Sequence, residues 1–158
     1  MKTRSTTFGS AAALAALLSL AACAETAPSW IGTPDSRAGT IEWSDGDSGR
    51  IDGAKFRLAS VDAPETSPVG SRYGAECESE RILGLEAKTF VEDLTDSGNV
   101  RVSRQYGEDR YGRAVVELEV DGQDVAATGL DAGYLQSWPH DQASGRALAP
   151  KPRWCRYR

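Results

Sequence analysis

Histidine occurs once, as His140, and cysteine three times, as Cys23, Cys77 and Cys155. These shortages exclude whole classes of chemistry. A cysteine nucleophile needs a base beside it, and His140 sits next to Pro139, well apart from the thiols. A zinc centre needs a full set of N and S ligands, which this chain does not supply once Cys23 is set aside. A positive charge excess is also missing, with 18 Lys+Arg against 23 Asp+Glu and a net of −5. An acidic surface argues against strong nonspecific binding to duplex nucleic acid, where basic groups neutralise phosphates. No small-and-apolar run reaches the roughly 20 residues that span a bilayer, and no internal repeat is present.

What the chain does have begins with an export signature. Lys2 and Arg4 give a basic start, and AAALAALLSLAA (Ala11 to Ala22) is a short small-and-apolar run. A run of that length behind a basic start and before small residues reads as a signal peptide. Leu20-Ala21-Ala22-Cys23 has the form of a lipobox, the pattern in which the cysteine is lipidated and becomes the new N-terminus. The competing reading is cleavage after Ala22-Cys23-Ala24, an A-x-A site. Either route takes the protein out of the cytoplasm, to the periplasm or cell envelope, and lipidation would add a membrane anchor at Cys23. Removing Lys2 and Arg4 leaves 16 basic residues against 23 acidic ones, a net of −7.

Export bears on the remaining cysteines. Cys77 and Cys155 would meet in an oxidising compartment, so a disulfide between them is expected, with two unpaired thiols as the alternative. Its long closed loop gives about 4–5 kcal/mol in the chain-entropy picture.

At 158 residues, one domain is the prior. Residues 1–23 form the signal, 24–38 a small, polar, Pro-containing tether, and 39–158 the domain. From Gly39 the pattern is β-like. GTIEWSDGDSG reads as a strand and a turn, and RIDGAKFRLASVD as two strands around Asp52-Gly53, a hairpin signal. ECESERILGLEAKTFVEDLTDSG reads as a helix with Ile82, Leu85, Phe90 and Leu94 near helical spacing. Strands resume in NVRVSRQYG and GRAVVELEVDG, where Val116, Leu118 and Val120 alternate with Glu117 and Glu119. Asp121-Gly122 turns the chain, and Asp124 can cap a short helix in VAATGLDAGYL. The last stretch has too much Pro and Gly for regular structure, and packing of Trp138 and Trp154 and the disulfide are expected to hold it. Five short strands, with one helix after the third and another after the fifth, suit a small closed α+β barrel of the OB type. An SH3-like or other α+β domain of similar size is the alternative.

Three short stretches carry the chemistry. Asp45-Gly46-Asp47 sets two carboxylates around a glycine at a strand-to-turn position. It is not an EF-hand loop, because the sixth position is Arg50 and the twelfth Phe56. In Phe56 to Glu65, Arg57 alternates with apolar neighbours on one strand, which then delivers Asp62 and Glu65 around a proline. An arginine in such a strand is costly unless it meets an anion. Asp109-Arg110-Tyr111-Gly112-Arg113 opens the strand from Ala114 to Val120. Singly, each has a bland reading: solvated turn acids, a structural Arg–Asp pair, a polar hairpin.

Taken in order, DGDS (Asp45 to Ser48), FRLASVDAPET (Phe56 to Thr66), YGAE (Tyr73 to Glu76), DRYGR (Asp109 to Arg113) and VDGQDV (Val120 to Val125) before GLDAGYL resemble the thermonuclease (staphylococcal-nuclease-like) family. The resemblance runs from about Gly39 to Trp138. It implies a five-stranded OB-fold barrel that hydrolyses phosphodiesters of DNA or RNA with Ca²⁺, leaving 3′-phosphate ends. Carried over by position, the cation ligands fall on Asp47, Asp62 and the backbone carbonyl of Ala63, with Asp45 behind them. Hard oxygen donors of this kind suit Ca²⁺. The phosphate-binding arginines fall on Arg57 and Arg113, and the proposed general base on Glu65. Tyr111 matches a tyrosine lining the nucleotide site, with Arg110 beside it. Ala63 stands where the family often has Thr, and Ser48 and Arg110 where it has Thr and Lys. The family's base-stacking tyrosine pair has no clear match; Tyr134 and Trp138 are the neighbouring candidates, with a place in the core as the alternative reading. The expected partner is single-stranded DNA or RNA, met by a monomer. The competing function is a catalytically inactive OB-fold module that binds a ligand or partner in the envelope.

Overall fold

The computed structural model describes residues 36–141 and 143–155. The expected signal peptide, Cys23 and the tether up to residue 35 lie outside the described residues. Among the described residues no helix is long and apolar enough to cross a membrane.

The chain runs β1 (Ser36–Arg37), β2 (Ile41–Trp43), β3 (Ser48–Ile51), β4 (Ala54–Leu58), β5 (Val61–Asp62), α1 (Glu78–Asp96), β6 (Val100–Glu108), β7 (Ala114–Val120), β8 (Gln123–Asp124), α2 (Val125–Asp131) and β9 (Gln136–Ser137). The strands of three residues or more are β2, β3, β4, β6 and β7, and the two helices follow the third and the fifth of them. The main sheet has the order β1-β6-β7-β4-β3-β2, with β8 beside β7. Among the described residues only β4 and β7 pair in parallel, with Phe56 opposite Ala114 and Leu58 opposite Val116. The path ends on β1 and β2, which do not pair with each other, so the expected closed barrel is partly open in its hydrogen bonding. OB barrels are commonly so. Ser36 and Arg37 pair with Val102 and Arg101, so ordered structure starts inside the stretch expected to be tether.

Local chemistry accounts for the turns. Asp52-Gly53 and Asp121-Gly122 each place both central residues at positive φ (50° and 81°, 51° and 85°). Such turns match the right-handed twist of the strands they join. Asp124 caps α2 by accepting the Ala127 N–H at 2.6 Å.

Alternation along the strands sends Ile51, Phe56, Leu58, Val102, Val116 and Leu118 into one fully buried core. Trp43 meets Phe56 edge to face, with ring centres 5.0 Å apart. Its indole N–H donates to Thr95 Oγ1 on α1 at 3.0 Å, so the polar end of the largest ring is satisfied inside the core.

Helix α1 departs from the expected pattern. Ile82 and Leu85 are 49% and 43% exposed, and the face turned inward carries Glu80, Gly84, Ala87, Val91 and Thr95. The reason is distance. A Cβ on Gly84 would lie 2.6 Å from the Glu65 carbonyl oxygen and 2.7 Å from that of Pro64. At Gly84 the helix therefore comes so close to the chain backbone that only glycine fits. Tertiary contact here outweighs the hydrophobic periodicity.

Candidate functional site

The segment from Asp45 to Glu65 crosses three strands and returns its acids to one place. Asp45 Oδ1 accepts the N–H groups of Asp47 (3.0 Å) and Ser48 (2.7 Å), and the Ser48 hydroxyl donates to the same carboxylate. Asp45 thus closes its own turn and sets the direction of Asp47. Strand pairing places Ser48 opposite Arg57, and the Leu58 N–H donates to the Asp47 carbonyl at 2.8 Å. Asp47 Oδ2 meets Arg57 Nη2 at 3.1 Å and accepts the Ala63 N–H at 3.2 Å. The same guanidinium donates to the Val61 carbonyl at 2.8 Å and lies 3.9 Å from Asp62 Oδ1. One arginine therefore gathers Asp47, Asp62 and the 61–63 backbone.

The electrostatics of these carboxylates follow from burial. Desolvation pushes the Asp47 carboxyl well above its ordinary value; the Arg57 charge opposes this, while Asp45 and Asp62 add to it. Asp62 is raised for the same first reason, against a hydrogen bond from Trp154 and the charges of Lys151 and Arg57. Two carboxylates taken out of water beside each other favour a cation. Carboxylates are hard oxygen donors, as is a backbone carbonyl such as that of Ala63, and donors of that chemistry suit a divalent cation such as Ca²⁺. Glu65 stands three residues beyond Asp62. Its N–H faces buried Glu80 Oε1 at 3.4 Å, and Glu80 Oε2 also accepts the Glu76 N–H at 2.7 Å. The first turn of α1 thereby pins the loop that carries Glu65.

A second cluster sits at the start of β7. Asp109 accepts the N–H groups of Tyr111 and Arg113 at 2.8 and 3.0 Å, and Arg113 Nε at 2.8 Å. Burial pushes the Asp109 carboxyl up, but those hydrogen bonds and the Arg113 charge outweigh it and hold it below its usual value. The guanidiniums of Arg110 and Arg113 lie 4.8 and 5.4 Å from the centre of the Tyr111 ring. Register connects the two clusters. Arg57 pairs with Val115 across the parallel strands, so Arg113, two residues earlier, lies on the same face of the sheet. One strand across and two residues along separates their Cα atoms by roughly 8 Å.

A model of the family described as staphylococcal nuclease homologue matches residues 55–144. The chain belongs to that family. The match includes Arg57, Asp62, Ala63, Glu65 and the 109–113 hairpin, and places the protein among nuclease and nucleic-acid-binding domains. No curated protein matches the chain. Asp45 and Asp47 lie before the matched segment, in the turn between β2 and β3, and Asp47 meets Arg57 there.

Of the two candidate stacking residues, Trp138 reaches the site, with its ring 5.1 Å from the Arg57 guanidinium. Tyr134 instead packs against Phe90, ring centres 4.9 Å apart. Sequence reasoning did not place the C-terminal stretch here at all. The Cys77–Cys155 disulfide is formed, with S–S 2.01 Å. It brings the residues before Cys155 across the carboxylates. Lys151 Nζ is 2.9 Å from Glu65 Oε1 and 3.6 Å from Asp62 Oδ1. The Trp154 indole N–H donates to Asp62 Oδ2 at 2.9 Å. The one available signal was the spacing of Lys151 and Trp154 just ahead of a cysteine expected to be tied back.

Proposed function

We propose that the protein is an exported, monomeric, Ca²⁺-dependent nuclease that hydrolyses phosphodiester bonds of single-stranded DNA or RNA and leaves 3′-phosphate ends. The observation that carries this reading is the convergence of Asp47 and Asp62 on Arg57, with Glu65 on the adjoining loop. Asp47, Asp62 and the Ala63 carbonyl would hold the cation, with Asp45 fixing Asp47 from behind. The chemistry Ca²⁺ supplies when bound is charge withdrawal from a phosphoryl oxygen and orientation of the group.

The remaining steps belong to side chains. Arg57 and Arg113 project from neighbouring strands on one face, so two planar forks can hold non-bridging oxygens as negative charge grows on them. Each arginine already leans on a carboxylate, which uses part of its donor set and leaves the rest for phosphate. Glu65 takes the proton of the attacking water, and the leaving group is the 5′-oxygen. Arg110 and Tyr111, exposed at the hairpin tip, offer a charge and a ring face to the adjacent nucleotide.

Export is supported by the Cys77–Cys155 disulfide, a bond that persists in oxidising compartments, and lipidation at Cys23 would hold the domain at a membrane. The net charge of −5 favours a second reading, an inactive envelope module with an OB fold.

The test is cleavage of single-stranded DNA by the full-length chain with Ca²⁺ and with EDTA, run beside Glu65→Gln. Cleavage should require Ca²⁺ and fall by about 10²–10⁴-fold in the variant while the fold is kept. Well-folded wild-type protein that binds Ca²⁺ without cutting would transfer the assignment to the binding module.

A further inference from the structure

The stretch from Leu148 to Cys155 lies past the segment matched by the family model, and three attachments hold it down. The Leu148 N–H donates to the Pro139 carbonyl at 2.9 Å, the Trp138 indole N–H to the Ala149 carbonyl at 3.0 Å, and Cys155 is bonded to Cys77. Between these ties sit the two side chains aimed at the carboxylates, Lys151 and Trp154. Lys151 Nζ bridges Glu65 Oε1 at 2.9 Å and Asp62 Oδ1 at 3.6 Å. Trp154 spends its one N–H on Asp62. An indole has a single donor and a rigid ring, so this contact fixes the carboxylate in one orientation.

We propose that this C-terminal strap is a working part of the cation site. Trp154 is a positioning residue that presents Asp62, and Lys151 is an internal cation that a divalent ion must displace. The inference rests on the reading of Asp47 and Asp62 as cation ligands. An ammonium 3.6 Å from Asp62 Oδ1 and a divalent ion on the same carboxylate repel each other. Binding is therefore coupled to withdrawal of Lys151, whose side chain is 44% exposed. The strap thus sets cation affinity in two opposed ways, one residue ordering the ligand and the other competing for it.

Calorimetric titration of the full-length chain with Ca²⁺ tests this without reference to catalysis. Lys151→Gln should bind Ca²⁺ about three- to tenfold more tightly, since it removes a partly screened like charge. Lys151→Arg keeps the charge and should bind like the wild type. Trp154→Phe keeps the ring, loses a hydrogen bond to a charged group, and should bind about tenfold more weakly. Melting temperatures measured in parallel separate affinity from folding. Unchanged affinity in Lys151→Gln and Trp154→Phe together, with only the melting temperatures lowered, would make the strap structural and overturn the proposal. Tighter binding by Trp154→Phe, or weaker binding by Lys151→Gln, would overturn it as well. No binding by wild type and Lys151→Gln alike would sink this proposal and the Ca²⁺ assignment together. Absent cleavage with these Ca²⁺ shifts intact would sink the nuclease reading alone.

Discussion

The site holds two arginine–aspartate pairs that look alike on paper and differ in kind. Arg57 reaches Asp47 across strands, and the side chains are 14% and 7% exposed. Arg113 reaches Asp109 within one hairpin, four residues apart, at 21% and 18%. The modest difference in burial goes with opposite electrostatics. In the first pair desolvation prevails and Asp47 is raised; in the second the local hydrogen bonds prevail and Asp109 is lowered. The hairpin makes a good salt bridge from neighbours in sequence. The cross-strand cluster instead buries Asp47 and Asp62 around Arg57, where loss of water outweighs the arginine's charge.

Removing each arginine separates the two most sharply. Arg57→Ala and Arg113→Ala should both reduce cleavage by about 10²–10³-fold or more, since each deletes a donor to the developing phosphate charge. Their effects on folding should diverge. Arg57→Ala strands a buried carboxylate and should lower stability by up to about 3–5 kcal/mol. Arg113→Ala should change it by less than about 1 kcal/mol, the usual scale of a local pair that water can reach. Urea unfolding with EDTA present measures both, and equal losses would erase the distinction.

Asp47→Asn tests the pocket from the other side. The folded chain holds a proton on Asp47 at pH values where the unfolded chain, with an ordinary value of about 4, has lost it. Stability from this group is therefore greatest below about 4 and falls as pH rises toward the raised folded value. At neutral pH without cation the charge is a burden. Asp47→Asn should then lose Ca²⁺ binding and cleavage while melting at a higher temperature than the wild type at pH 7 in EDTA. A lower melting temperature under those conditions would contradict the burial argument.

The same contrast explains what the sequence made legible. Features governed by near neighbours were readable: both Asp-Gly turns, the Asp124 cap, the alternating β7 and the 109–113 hairpin. The ordered motifs named Asp47, Arg57, Asp62 and Glu65, and the structure brings the first three together. Features governed by distant contact were mostly not, the Cys77–Cys155 disulfide apart. Of the apolar positions of α1, Phe90 and Leu94 pack against the core and Ile82 and Leu85 do not; nothing near Gly84 announces that the backbone of Pro64 and Glu65 will press against it. Lys151 and Trp154 were invisible as site residues because their partners lie 86 and 92 positions away. Trp138 was placed near the site on sequence position, yet its contact with Arg57 depends on β5 and β9 pairing Val61 with Ser137.

The smallest effect should come from the hairpin acid. Asp109 has a lowered folded value, so its contribution to stability is present above about 4 and is lost as pH falls through that value into the acid range. Asp109→Asn should remove that contribution. It should cost under about 1 kcal/mol at pH 7, and progressively less as pH falls below about 4. Cleavage should drop only a few-fold, because Arg113 keeps its place in the turn through the Asp109–Arg113 backbone pair at 2.9 Å. A variant that instead lost activity as fully as Arg113→Ala would show that the carboxylate, and not the turn, aims the arginine. The hairpin would then be built on the same principle as the pocket, with an acid fixing the residue that meets the phosphate.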